Sequence, residues 1–320
     1  MPVRIIWTSG ATEANNLAIQ GILRATGLQR GLVTSAAEHR SILDSARRLR
    51  RSGWPVNILN VDHHGLVDLN HLEQALTPAT SVVSLMWANN EIGSISPVSA
   101  IARICRDKGV WLHSDATQAV GKIPVNPSAS GVDLLSFSGH KIYGPPGIGV
   151  LIVRRERGPI PIQPLIEGGG QQGGLRSGTL PLPLIVGLTE ALSICEQLRE
   201  TEAAHLAARR DQLWGELSAA IPGLVRHTPI DSRHPTLPHN LCIGIPGIDG
   251  DVLLARLRES DLCVSSGAAC SSSHREPSHV LTAIGVAGPL ARSSLRFGLG
   301  RGTTSDDVSR AVHILAEITR

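Results

Sequence analysis

The feature that most constrains this chain is a strict alternation of short, β-branched apolar runs with helical patterns through its first half. RIIWTS leads into ATEANNLAIQGILRA, GLVTS into SILDSARRLRRSG, PVNILN into LNHLEQAL, and SVVSLMW into PVSAIARICRDKG. Runs of four to eight Val- and Ile-rich residues read as strands, and apolar spacing of three and four residues reads as helix. VWLHSD, VDLLSFS and IGVLIVR add three strands with shorter connections. Strands this continuously apolar have both faces covered, so the pattern predicts an α/β fold: a mostly parallel sheet with helices on both faces. Ligands of such sheets collect outside the strand ends.

A Pro- and Gly-rich passage, GPIPIQPLIEGGGQQGGLRSGTLPLP, separates this block from a long helical pattern between Leu184 and Ala220. The boundary is placed near Gln197, giving a large domain over residues 1–196 and a smaller α+β domain over 197–320. The second part carries strands LCIGIP, DLCVSS and SLRFGLG and helices after Asp249, Pro277 and Ser305. The segment HTPIDSRHPTLPHN holds His227, His234 and His239 among prolines, and reads as an exposed loop rather than a metal site.

Hydrophobic residues make up 42% of the chain, enough for a substantial core. No apolar run reaches the roughly 18–20 residues needed to span a bilayer, and MPVRIIWTSG lacks the order of a signal peptide. A soluble, cytoplasmic protein is expected. With 30 Lys and Arg against 27 Asp and Glu, and only five Trp, two Phe and one Tyr, neither charge nor stacking surface suits nucleic acid as a ligand. Five cysteines without CxxC spacing provide neither a disulfide framework nor a metal-ligand set, which fits a reducing compartment. Cys105, Cys195 and Cys242 fall in apolar helix or strand patterns and read as small hydrophobes. Cys270, between SSGAA and SSS, reads as a thiol on an exposed loop.

Three motifs carry chemistry. In Thr8-Ser9-Gly10-Ala11-Thr12-Glu13 a strand runs into a helix whose first turn is small and hydroxylated, leaving N–H groups for an anion such as phosphate. An ordinary helix cap is the alternative. No GxGxxG follows a strand and no Walker pattern occurs, so nothing marks that phosphate as a nucleotide's. In VWLHSDATQ an apolar strand ends in Asp115, and a buried carboxylate there needs a cationic partner. In SFSGHKIYGPPGIG, Lys141 stands between two apolar strands, where a lysine can lose its proton and act as an amine nucleophile. Phosphate site, strand-end acid and amine together meet the requirements of pyridoxal 5′-phosphate (PLP).

In order along the chain, TSGATE, AEHRS, ANNEIG, HSDATQAVGK, SFSGHKIYGPPGIG, GGGQQGGLRSGTLP, SSGAACSSS and SSLRFGLGR resemble the cysteine desulfurases. These are NifS/IscS-like, class V members of the fold-type I PLP enzymes, and the long cysteine loop is similar to their group I. The resemblance implies that Lys141 is the Schiff-base lysine, Asp115 the partner of the pyridinium nitrogen, and His39 the ring-stacking acid/base group. Gln118 would contact the phenolic oxygen. Ala11, Thr12, Ser138 and His140 would hold the phosphate, joined by Thr179 from the neighbouring subunit of a homodimer. Asn90 and Arg296 would bind the substrate carboxylate. Taken alone, His39 also reads as a helix cap, Asn90 as a turn former and Arg296 as a strand residue in a surface ion pair.

The implied reaction converts L-cysteine to L-alanine and leaves a persulfide on Cys270, with His39 a candidate base for that thiol, for delivery to a sulfur-acceptor protein in iron-sulfur cluster assembly or thiolation. A selenocysteine lyase or another class V enzyme, in which Cys270 is dispensable, and an inactive truncated homologue or interaction protein are the other readings. The family carries further chain before TSGATE and a C-terminal extension that engages its scaffold, so the resemblance also implies N-terminal shortening and loss of that docking segment.

Overall fold

The computed structural model describes residues 3–230, 233–266 and 277–320. The chain divides into two compact units: Met1–Asn60, Val67–Ala88 and Ser96–Leu198 form the first, and Val61–Leu66, Asn89–Ile95 and Arg199–Arg320 the second. The division along the long helix falls after Leu198, and two short segments from the N-terminal half, counted above with the large domain, belong to the second unit.

The first unit follows the alternating rhythm: β1 (Val3–Thr8), α1 (Ala11–Thr26), β2 (Gly31–Ser35), α2 (Arg40–Arg51), β3 (Val56–Leu59), α3 (Leu69–Ala75), β4 (Thr80–Ser84), α4 (Val98–Asp107), β5 (Trp111–Asp115), α5 (Pro127–Ser130), β6 (Leu134–Ser138) and β7 (Gly149–Arg154). The seven strands lie in the order β1-β7-β6-β5-β4-β2-β3. From β3 to β6 all pairings are parallel, while β7 runs antiparallel to both β6 and β1. The core is built around α1, whose Leu17, Ile19 and Ile22 are buried with Val82, Leu134 and Leu151. SVVSLMW is shorter as a strand than its apolar run suggests, ending at Ser84 because Leu85 to Trp87 continue toward a turn.

The helix α6 (Leu182–Ala220) contributes residues to both units. In the second unit follow β8 (Val225–Arg226), β9 (Asn240–Gly244), α7 (Gly250–Arg258), β10 (Ser265–Ser266), α8 (His279–Ala283), α9 (Gly288–Arg292), β11 (Ser294–Gly298) and α10 (Ser305–Ile318). Its four strands form an antiparallel sheet in the order β10-β11-β9-β8. Leu206, Leu213 and Leu217 of α6, Leu253 of α7 and Val312 of α10 close one core with Ile243 and Leu295 of the sheet. DLCVSS is strand only at Ser265–Ser266, and Cys263 is exposed before it. Among the described residues no helix is long and apolar enough to cross a membrane.

Two details of the first unit have measurable consequences. A Cβ added at Gly149 would stand 2.5 Å from Gly10 Cα and 2.9 Å from Ala11 N, so the first residue of β7 must be glycine for the start of α1 to lie against the strand. Overpacking of this kind costs about 1–3 kcal/mol. Gly149→Ala is therefore expected to lower the urea midpoint of unfolding with an unchanged m-value.

Glu38, between β2 and α2, is 1% exposed; its Oε1 accepts from Met86 N at 2.9 Å and Ser35 Oγ at 3.0 Å. Burial, helped by the charge of Asp115 and opposed by these hydrogen bonds, pushes its carboxyl up from the ordinary 4.5 to about 8. The folded state thus holds a proton that the unfolded chain releases, and stability falls as pH rises from 4.5 to about 8. Thermal melts across that interval are expected to show a flatter decline for Glu38→Gln, which keeps an acceptor oxygen and cannot ionise.

Candidate active site

Asp115 ends β5 and is buried. Its Oδ2 accepts from Asn15 Nδ2 at 2.7 Å and its Oδ1 from Thr117 N at 3.0 Å. The cation expected beside this carboxylate is replaced by neutral amide donors, which satisfy the oxygens without a second desolvated charge.

His39 is the N-cap of α2, as its position before a helix suggests. Its Nδ1 accepts from Ser41 N at 3.2 Å and lies 2.9 Å from Ser41 Oγ. Because a backbone N–H can only donate, Nδ1 is the acceptor, and the neutral ring carries its proton on Nε2. The cap role and a chemical role are compatible, since capping uses one nitrogen and leaves the other. A polar cleft of about 410 Å³ opens beside His39 and Thr12.

Ala11 and Thr12 form the first turn of α1, whose N-cap, Gly10, has no side chain to bond the first N–H groups. Ser138, the buried last residue of β6, faces this helix start: a Cβ built on Gly10 would stand 3.8 Å from Ser138 Oγ. Ser138 Oγ lies 2.8 Å from His140 Nδ1. Partial burial and the neighbouring charge of Lys141 hold the His140 imidazole below its ordinary basicity. Lys141 sits on a single 3₁₀ turn, Gly139–Ile142, between β6 and β7, and is exposed rather than walled in by the strands. Gln118, three residues beyond Asp115, is half-buried.

Thr179 is exposed. The segment before it is tied down: Arg176 Nε donates to Glu13 Oε1 at 2.9 Å and Nη2 to Oε2 at 3.3 Å, while the Gln172 side chain both donates to Trp7 O at 2.8 Å and accepts from Trp7 N at 2.7 Å. The glycine-rich passage thereby completes the edge of β1 and is held to the first turn of α1.

Asn90 and Arg296 belong to the second unit, where they meet: Arg296 Nη1 donates to Asn90 O at 2.9 Å and Nη2 to Ser265 Oγ at 3.3 Å. The ANNEIG turn is shaped by Asn89, whose Oδ1 accepts from Glu91 N at 2.8 Å and Ile92 N at 3.0 Å. Arg296 is a strand residue of β11, bonded internally rather than in a surface ion pair. Cys270 lies outside the described residues.

Asn15 is the site residue that motif reading passes over. Its signal is positional: it shares the buried face of α1 with Ala18, Ile19 and Ile22, where an amide without a partner would be costly. Among the described residues no group of three or more His, Cys, Asp and Glu is arranged to hold a metal ion. The residues of the first unit do fit PLP. Asp115 suits a protonated ring nitrogen, the uncapped start of α1 with Ser138 suits a phosphate, and Lys141 supplies an amine. Beside Asp115, Thr117 Oγ1 is buried without a hydrogen-bond partner among the described residues, a hydroxyl available to a ligand.

The sequence matches the class-V aminotransferase family over residues 2–311. It is 44% identical over 99% of its length to a mitochondrial cysteine desulfurase of Eremothecium gossypii, of which it spans 63%, and 43% identical over 97% of its length to cysteine desulfurase IscS of Rickettsia bellii, of which it spans 75%. A solved structure of a NifS-like protein superposes with a TM-score of 0.89 at 34% identity, covering 98% of this chain and 82% of that one. With a matching fold, the chain belongs to the class-V aminotransferase family of PLP enzymes, in which the relatives compared above are named cysteine desulfurase or NifS-like.

Proposed function

We propose that this protein is a PLP-dependent cysteine desulfurase that transfers the sulfur of L-cysteine to Cys270, leaving L-alanine, and passes it from there to an acceptor protein. The observation that carries the reading is the meeting, in one unit, of the hydrogen-bonded Asp115 carboxylate, the Nε2-protonated His39, the uncapped start of α1 and the exposed amine of Lys141. Bound PLP would supply an electron sink that lets the carbon–sulfur bond of the substrate break. Asp115 would hold the charge of the ring nitrogen, and the α1 N–H groups with Ser138 the phosphate. Lys141 and His39 Nε2 would move protons, and Asn90 and Arg296 would orient the substrate carboxylate. In the transfer, the substrate's C–S bond breaks, an S–S bond forms to Cys270, and the thiol protons end on the alanine methyl and the persulfide.

The other thiols support the choice of Cys270. Burial pushes Cys105 up to about 12 and Cys242 higher, so neither provides a thiolate at neutral pH. Cys195 is buried, with its Sγ donating to Ile142 O at 3.4 Å. Cys263 is exposed and stands as the control. Homodimerisation through the Thr179 segment, residence in the cytoplasm and service to iron-sulfur assembly or thiolation belong to the same proposal. They rest on the exposure of Thr179 beside an anchored loop and on the kinship with cysteine desulfurases.

Two measurements test the reading. Cys270→Ser is expected to reduce sulfide release from L-cysteine to the rate without enzyme while keeping the visible absorbance of bound PLP, whereas Cys263→Ser keeps both; full sulfide release by Cys270→Ser would overturn the assignment. Hydrogen bonds to a charged group contribute about 1.5–3 kcal/mol, so Arg296→Lys, which loses the bidentate fork, is expected to raise KM for L-cysteine by roughly 10- to 100-fold in steady-state assays.

A further inference from the structure

Asn15 is fully buried on α1 and sits at the crossing of two hydrogen-bond chains. Its Nδ2 lies 2.7 Å from Asp115 Oδ2 and 2.9 Å from Ser41 Oγ, and its Oδ1 accepts from Ser136 Oγ. The chemistry of the partners fixes every proton. A carboxylate accepts only, so the amide NH₂ faces Asp115 and the amide oxygen faces Ser136. Ser136 has spent its proton on Asn15 and accepts from His113 Nε2 at 2.7 Å; His113 Nδ1, at 2.9 Å, then accepts from Ser84 Oγ. Burial lowers the His113 imidazole to about 4, against the opposing charge of Asp115, so this ring stays neutral as the chain requires.

The second amide proton of Asn15 goes to Ser41 Oγ. That leaves the Ser41 hydroxyl proton pointing at His39 Nδ1, 2.9 Å away, beside the backbone N–H that already donates there. One side chain therefore spends one proton on the residue placed to hold the ring nitrogen and the other on the hydroxyl that addresses the residue placed to stack on the ring. A filler amide would need only to be satisfied. This one is oriented by Ser136 behind it and divides its two donors between the two groups.

We propose that Asn15 is a positioning residue that couples Asp115 to His39, orienting the carboxylate directly and polarising His39 Nδ1 through Ser41, so that both groups are set before PLP binds. The proposal rests on the PLP reading above. It does not depend on turnover for its test.

The experiment uses the full chain with ¹⁵N-labelled histidine, recording the His39 ring nitrogens without cofactor and then measuring PLP affinity by equilibrium dialysis. In Asn15→Ala the His39 Nδ1 resonance is expected to move toward that of a less hydrogen-bonded nitrogen, and PLP affinity to fall by roughly 10-fold or more, the scale of a lost hydrogen bond to a charged group. Ser41→Ala, which leaves the Asn15–Asp115 bond in place, is expected to move the same resonance with a smaller loss of affinity, and it serves if Asn15→Ala does not fold. An unmoved His39 resonance in both variants overturns the coupling, and a moved resonance with wild-type PLP affinity in Asn15→Ala overturns the Asp115 half of it. If the unaltered protein takes up no PLP, the cofactor reading fails, while the resonance still decides whether Asn15 addresses His39.

Discussion

A carboxylate can stay charged inside a sheet only where donors replace the water it has lost, and the first unit is arranged around meeting that need at Asp115. β5 delivers the acid to its C-terminal end, the turn that follows returns Thr117 N to one oxygen, and α1 brings Asn15 to the other. Neutral donors are a better solution here than a lysine or arginine. A buried ion pair would add a second desolvation cost and would neutralise the charge proposed to face a cofactor's ring nitrogen. Glu38 shows the contrary outcome nearby: buried, and raised further by the charge of Asp115, it takes up a proton instead.

The helix α1 serves this site from two directions. Its apolar face forms the centre of the core with Leu134, Leu151 and Val82, which fixes its axis against the sheet. Its N-terminus, brought against β7 where Gly149 has no side chain, then presents uncapped N–H groups opposite Ser138. Packing at Leu17 and Ile22 and the placement of Ala11 and Thr12 are thus one constraint, because a helix buried along its length cannot tilt its first turn away. The ion pair between Glu13 and Arg176 extends that constraint to the glycine-rich passage that carries Thr179.

Periodicity carried most of the architecture, since strands buried on both faces and amphipathic helices leave unambiguous patterns, as in GLVTS before SILDSARRLRRSG. Strand ends, where a parallel sheet binds ligands, pointed to Asp115 and Lys141, and the family resemblance alone pointed to His39; they lie at the end of β5, on the turn after β6 and at the N-cap of α2. What escaped was set by tertiary contact. The antiparallel course of β7 between β1 and β6 follows from a short connection and not from composition. Val61–Leu66 and Asn89–Ile95 join the second unit through contacts with residues distant in sequence, such as Leu237 N donating to Gly93 O at 2.8 Å. Asn15 has no local signature beyond being polar on a buried face, and its partners lie 26, 100 and 121 positions away.

In the second unit the ANNEIG turn acts as a shared fixture. Arg296 grips the carbonyl of Asn90 and the hydroxyl of Ser265, the residue paired with it across β10 and β11. Glu91, buried one position along the turn, accepts from Ser278 Oγ, the N-cap of α8. Ser265 and Ser278 stand on either side of the segment that contains Cys270, so both of its flanks are bonded either to this turn or to the arginine that holds it. Cys242, opposite Arg296 in the register of β9 and β11, lies among the same groups, yet burial and then the charge of Glu91 keep its thiol protonated against the pull of Arg296. A sulfur atom enclosed in this way is inert. The second unit thus keeps Cys242 a structural thiol by burial together with the charge of the turn that Arg296 grips.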